Sequence, residues 1–255
     1  MKGVILAAGK GSRLNGTAGD KPKCLVEAGG ITLLERQIRT LEAAGIEDIV
    51  VVVGCQADRV RLVGGPGVEY VENVRFAETN SLYSLWTARA LLYQGFVVLN
   101  CDVLFHPALL DDLLTTHQDA ALLMQHRVAA DPPYGDEEMK VKLRGDLVID
   151  MSKSMDPAEA DGENLGIVKF GPKSAPHLVS ILDRIVGEGG LRDWAPKAFR
   201  EFAQDLPLHA VGTGGRPWIE IDFPEDYRRA VAEVLPAIDY APAAAAATAD
   251  AGRGL

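Results

Sequence analysis

Cysteine is scarce in this chain and unpaired in pattern. Cys24, Cys55 and Cys101 stand far apart and no C-x-x-C occurs. An odd count in no framework implies reduced thiols and argues against a disulfide scaffold. No stretch approaches the roughly 20 apolar residues of a membrane span. The apolar run at residues 4–8 is short and has no cleavage signal after it, so it does not read as a signal peptide. These absences lead us to expect a cytoplasmic protein with no membrane partner. Positive charge is not in excess either: net charge is −10. A general nucleic-acid binder needs a basic face, so nucleic acid is not an expected partner. A local basic pocket for a phosphorylated small molecule remains open. There is no internal repeat and no Pro/Ser-rich linker.

Apolar residues are plentiful, at 47% of a chain of 255, enough for a large core. Strand-like runs at residues 4–8, 49–53, 68–71, 96–99 and 120–124 alternate with helix-like segments at 31–44, 56–62, 81–93 and 106–117. This rhythm predicts an α/β fold: a doubly wound, Rossmann-like, mostly parallel sheet. After about residue 125 the rhythm changes. Residues 139–151 read as a hairpin turning at Arg144-Gly145-Asp146. A strand at 165–170, helices at 175–186 and 194–203, a strand at 218–222 and a helix at 224–235 follow. We read residues 1–238 as one domain. Residues 125–215 would be a small inserted hairpin/helix region that binds an acceptor. The Ala-rich residues 239–255 offer no core-facing stripe and are expected to be disordered.

The chemistry concentrates in Leu6-Ala7-Ala8-Gly9-Lys10-Gly11-Ser12-Arg13, followed by Lys21-Pro22-Lys23. A buried strand breaks into a glycine loop that ends in a cation, and a second cation follows. Open α/β sheets bind ligands at the carboxyl ends of their strands. Glycines let backbone N–H groups approach phosphate oxygens, and Arg13 and Lys23 can neutralise the remaining charge. The third glycine of a dinucleotide fingerprint is absent, as is the Gly-Lys-Ser/Thr end of a Walker loop. No acidic residue ends the second strand at Val53-Gly54, which also disfavours NAD.

This string resembles the nucleotidyltransferases that make nucleoside-diphosphate sugars and alcohols. Their first strand runs into Leu-Ala-Ala-Gly-x-Gly-x-Arg and then Lys-Pro-Lys. The resemblance covers most of residues 1–238 and is strongest through residue 110. It implies transfer of a nucleotidyl group to a phosphate with release of pyrophosphate, and a Mg²⁺ cofactor. It also implies that the loop (Leu6, Ala7, Ala8, Gly9, Gly11, Ser12) wraps a triphosphate. Arg13 would hold the β/γ-phosphates, and Lys23 would reach the α-phosphate. Asp102 follows the strand at 96–99 and suits a hard cation, which prefers oxygen donors. The family usually has Gly or Ala before that Asp; Cys101 stands here. Asp222 ends Trp218-Ile219-Glu220-Ile221-Asp222 and resembles the family's second metal carboxylate. Either aspartate could instead cap a helix.

Glu78-Thr79-Asn80-Ser81-Leu82-Tyr83-Ser84 contains good helix starters, and the same amides and hydroxyls can read a base edge. The resemblance places Thr79, Asn80 and Ser84, with Asn73, in the base pocket. The Thr-Asn-x-hydrophobic-Tyr-Ser form resembles cytidylyltransferases acting on phosphocholine and similar phospho-alcohols or phosphonates, which tilts the nucleotide toward CTP. Glu163-Asn164-Leu165-Gly166-Ile167 resembles an acceptor-binding segment one residue longer. Lys140, Lys142, Glu163, Trp218 and Glu220 are candidate acceptor contacts. Trp86, Tyr134, Trp194 and Trp218 are available for a quaternary ammonium, and Asp136, Glu137 and Glu138 for an amine. The alternatives are a sugar-1-phosphate nucleotidyltransferase using UTP, GTP or dTTP, and a non-catalytic nucleotide-binding module.

Overall fold

The structure is a computed structural model that describes residues 1–11, 14, 21–128 and 133–239. The expected tail lies outside them, apart from Asp239. The chain opens with β1 (Lys2–Ala7), the short strands β2 (Glu27–Ala28) and β3 (Ile31–Thr32), and α1 (Leu33–Ala43). Thr32 caps α1: its Oγ1 accepts from Glu35 N–H, and Glu35 reaches back to the Thr32 N–H. Then come β4 (Ile49–Val53), α2 (Ala57–Gly64), β5 (Glu69–Glu72), α3 (Ser81–Thr87), β6 (Phe96–Asn100), β7 (Val103–Phe105), α4 (Ala108–Thr115) and β8 (Ala120–His126). The second half holds β9 (Lys140–Arg144), β10 (Leu147–Ser152), β11 (Gly162–Phe170), α5 (Ala175–Gly187), α6 (Ala195–Asp205), β12 (His209–Gly212), β13 (Trp218–Glu220) and α7 (Pro224–Arg229). The helix expected at 224–235 changes to a π turn at Ala230–Val234.

The strands β5-β4-β1-β6 are parallel, with β1 central. Successive residues of β1 enter opposite cores: Val4 and Leu6 pack toward α3, α5 and α6, whereas Ile5 and Ala7 pack toward α1, α2 and α4. That two-sided burial is why β1 and β4 read as unbroken apolar runs. Each fully buried side chain there contributes about 1.5–3 kcal/mol.

The mostly parallel sheet of the sequence reading needs correction. β11 runs antiparallel to both β6 and β8, and β10 is antiparallel to β12 and β9. The sheet is mixed. Its far half, in the order β11-β8-β12-β10-β9, turns back so that β9 also pairs with β11. This partly barrel-like region is built from the hairpin foreseen at 139–151, with Gly145 in the left-handed region at its turn. The expected helix at 81–93 stops at Thr87 and continues as a 3₁₀ turn, Arg89–Leu91.

Candidate active site

Strand register sets the site. Leu6 of β1 lies opposite Asn100 of β6, so the glycine loop and Asp102 leave the sheet side by side. β7 and β13 then pair antiparallel with Glu220 opposite Val103, and Ile221 N–H donates to Asp102 O at 2.9 Å. This brings a segment from the end of the chain against Asp102. Gln37 on α1 clamps the turn from behind, its Nε2 donating to Asn100 O at 2.8 Å and Val103 O at 3.0 Å.

Lys23 meets both aspartates. Its Nζ donates to Asp102 Oδ2 at 3.0 Å and also to Asp222 Oδ1. All three side chains are largely shielded, at 12–16% exposure, where charge–charge interaction is stronger than in water. Gly11 makes this possible. Its φ is +67°, and a Cβ there would sit 2.9 Å from both Lys23 Cγ and Lys23 N. Neither aspartate caps a helix. α4 begins after Pro107, with Ala108 N–H donating to His106 Nδ1, and the start of α7 is closed by Asp226 Oδ2.

Ligand oxygens of Asp102, Glu220 and Asp222 all lie within 4.8 Å of one another. Asp102 Oδ1 is buried and has no hydrogen-bond partner among the described residues. An orphaned carboxylate oxygen beside two further carboxylates suits a hard divalent cation. The residues present therefore fit a Mg²⁺ held by Asp102 and Asp222, with Glu220 beside them. Cys101 stays a neutral filler next to this cluster: a hydrogen bond with Cys24 and burial hold its thiol well above the usual range.

A cavity of about 320 Å³ opens over this cluster. Leu6, Ala8, Gly9 and Gly11 line it, with Lys23, Thr79, Asn80, Ser84, Asp102, Glu220 and Asp222. Ser12 and Arg13 lie outside the described residues. Ala7 faces the opposite core. Asn73 is 1% exposed and off the lining; it acts through its neighbours. Its Nδ2 donates to Thr79 Oγ1 at 3.0 Å and to Ser84 Oγ at 3.1 Å, and its Oδ1 accepts from Arg75 N–H at 3.0 Å. Asn80 caps α3 through Ser81 N–H while also lining the cavity.

Of the candidate acceptor contacts, Glu220 lines this cavity, whereas Lys140, Lys142, Glu163 and Trp218 do not. Lys140 is buried and its Nζ donates to Gly135 O at 2.6 Å, away from the lining. Lys142 points outward to Glu159 at 2.9 Å. Trp218 donates its indole N–H to Gln125 Oε1 at 3.4 Å and is also off the lining. The lysine of this region in the cavity is Lys153, just past the hairpin, beside Glu137, Asn164, Gly166 and Trp194. Lys153 had no local signal. Gly166 had one, its place in the segment that resembles an acceptor-binding one: its φ is +76° and a Cβ would sit 2.5 Å from Asn100 Nδ2.

Glu163 lies behind this wall. Burial, then the charges of Glu138 and Glu220, push its carboxyl up to about 8, against the pull of Lys140 and Lys153. Between the ordinary 4.5 and about 8 the folded chain keeps a proton that the unfolded chain has lost, so stability falls as pH rises across that window. Glu163→Gln keeps the shape without the charge. With no divalent cation added, its melting temperature should match the parent near pH 4 and exceed it by about 10 °C at pH 8.5. Melting curves across pH check this; a constant offset would contradict it.

The model of the MobA-like NTP transferase domain matches residues 3–195. A Bifunctional IPC transferase and DIPP synthase of Rubrobacter xylanophilus is 33% identical over 238 residues, 91% of this chain and 51% of that protein. The chain thus spans about half the length of that relative. The Choline-phosphate cytidylyltransferase of Streptococcus pneumoniae is 27% identical over 231 residues, 90% of this chain and 96% of that one. The solved inositol-1-phosphate CTP transferase from T. maritima superposes with a TM-score of 0.77 at 20% identity, covering 94% of this chain and 96% of that one. That likeness is one of fold. No described helix is long and apolar enough to cross a membrane.

Proposed function

The chain belongs to the MobA-like NTP transferase family of nucleotidyltransferases, and from that premise we propose that it transfers CMP from CTP to a small phospho-alcohol or phosphonate. An acceptor oxygen attacks the α-phosphorus in line, the bond to the β-phosphate oxygen breaks, and pyrophosphate leaves. No protein nucleophile is needed. The observation that carries this reading is Lys23 held between Asp102 and Asp222 at the mouth of the glycine loop. Loop amides would cradle the triphosphate, Arg13 would hold its outer phosphates, and Lys23 would turn to the α-phosphate. Asp102 and Asp222 would hold Mg²⁺, which supplies charge neutralisation when bound. The work of the chain is positioning and electrostatic stabilisation. We place the whole reaction in one domain, residues 1–238, with acceptor contacts from 125–215. Three free thiols agree with a cytoplasmic setting.

Polarity at the base end supports CTP, as does the choline-phosphate relative. The Arg75 N–H fixes which way the Asn73 amide points, so both Asn73 amide hydrogens go to Thr79 and Ser84. Thr79 has already given its own proton to Arg75 O at 2.9 Å. It can therefore offer the cavity a lone pair and no proton. The 4-amino group of cytosine is a donor, whereas O4 of uracil is an acceptor. Thr79→Val should shrink the CTP-over-UTP preference in kcat/KM by about tenfold, one hydrogen bond's worth. Equal losses with both nucleotides would contradict it.

Pyrophosphate release with each of CTP, UTP, GTP and dTTP tests the whole reading. The acceptors are phospho-alcohols, 2-aminoethylphosphonate and sugar 1-phosphates. Fastest release is expected with CTP and a phospho-alcohol or phosphonate. Preference for UTP, GTP or dTTP with a sugar phosphate assigns the sugar-nucleotide reaction instead. No release with any pair assigns a binding module.

A further inference from the structure

Among the described residues, both aromatic rings on the cavity lining carry an ammonium of the chain itself. Lys10 Nζ lies 6.0 Å from the Phe76 centroid, and Lys153 Nζ lies 4.1 Å over Trp194. Lys153 is held there by Glu137, whose Oε2 accepts from Nζ at 3.1 Å. Trp194 is anchored too: Ala195 N–H donates to Ser81 Oγ at 2.9 Å, and Trp194 O accepts from Lys197 N–H at 2.9 Å. Of the three other rings that could have built a cage, Tyr134 is off the cavity lining and two are committed elsewhere. Trp86 stacks under the Arg89 guanidinium at 3.8 Å and donates to Asp183, and Trp218 donates to Gln125.

We propose that Lys153 is an acceptor-specificity residue: by covering Trp194 it denies that ring to a quaternary ammonium and selects an acceptor whose head group hydrogen-bonds, a hydroxyl or a primary amine. A trimethylammonium has no N–H and depends on an open aromatic face. It would have to displace Lys153 from both Trp194 and Glu137, against a like charge. A hydroxyl or primary amine needs no ring, and Glu137, Asn164 and Glu220 on the same lining offer it oxygen acceptors. This deepens the reading of the chain as a transferase acting on phospho-alcohols or phosphonates and rests on it.

The test compares phosphoethanolamine with phosphocholine, which share a charge and differ by three methyl groups. The parent should favour phosphoethanolamine in kcat/KM, and Lys153→Met should move the ratio about tenfold toward phosphocholine. Lys153→Arg, which still covers the ring, should keep the parent ratio. A parent that uses both acceptors equally, or a ratio that Lys153→Met leaves unchanged, overturns the proposal. A second readout needs no turnover: titration with choline chloride followed by tryptophan fluorescence. Lys153→Met should give a saturable change that is absent from the parent and from Lys153→Met/Trp194→Leu. A parent that responds like the single variant also overturns it. If choline behaves as expected while no acceptor is turned over, the gate stands and the catalytic reading falls.

Discussion

Replacing Lys23 by alanine is expected to lower turnover by about 10²–10³-fold while changing CTP affinity by only a few-fold, about threefold. The reason lies in where the charge is needed. In the proposed ground state many loop amides would share the triphosphate. In the proposed transition state charge would build around the α-phosphorus, and Lys23 is the described cation bound to both Asp102 and Asp222 beneath the cavity. An interaction that strengthens only there moves kcat rather than binding. Removing Lys23 also leaves two shielded carboxylates facing each other, so the variant's melting temperature should become more dependent on added Mg²⁺ than the parent's. Steady-state kinetics with equilibrium dialysis of CTP separates the two effects. A near-normal kcat would remove Lys23 from the mechanism.

Asp102→Asn should cost still more, about 10³-fold or above in kcat, because it strikes two partners at once. Asparagine keeps the shape but gives up the charge that pairs with Lys23 and the buried Oδ1 that suits a hard cation. Its effect should be non-additive with Asp222→Asn: the double variant should be little worse than either single one, as expected of residues that act as a unit. A readout independent of catalysis is the rise in melting temperature on adding Mn²⁺. The parent should show it through ligand binding to the folded state, and Asp102→Asn should not. Multiplicative losses, or an intact Mn²⁺ response, would place the cation elsewhere.

The legible parts of this chain were local or chemically loud. β1 and β4 announce themselves because both faces are buried, and the glycine loop because a strand, two glycines and two cations fall in one run. Lys23, Asp102 and Asp222 stand out one by one in the sequence, and the structure brings them together. Strand direction was not legible: β11 has the apolar pattern of any buried strand, and nothing in that pattern says it runs against β6. β12 has four half-buried residues and no alternation to detect. Which lysine lines the cavity was not legible for a related reason. Lys140 and Lys142 do alternate along β9, but which of them reaches the cavity depends on how residues 135–138 fold over Lys140. Lys153 sits just past the end of β10, where no periodicity marks it. Asn73 is an expected base contact, yet it lies off the cavity lining and hydrogen-bonds two hydroxyls, those of Thr79 and Ser84, that are on it.

The central claim is that CMP, its α-phosphorus included, moves from the pyrophosphate of CTP to an acceptor oxygen. Parallel incubations with α-labelled and γ-labelled CTP, Mg²⁺ and the phospho-alcohol and phosphonate acceptors follow the two ends of the nucleotide. The account predicts α-label in a CMP–acceptor conjugate and γ-label in pyrophosphate, both lost in Asp102→Asn. γ-Label appearing as inorganic phosphate, or α-label never leaving CTP with any acceptor, would contradict it.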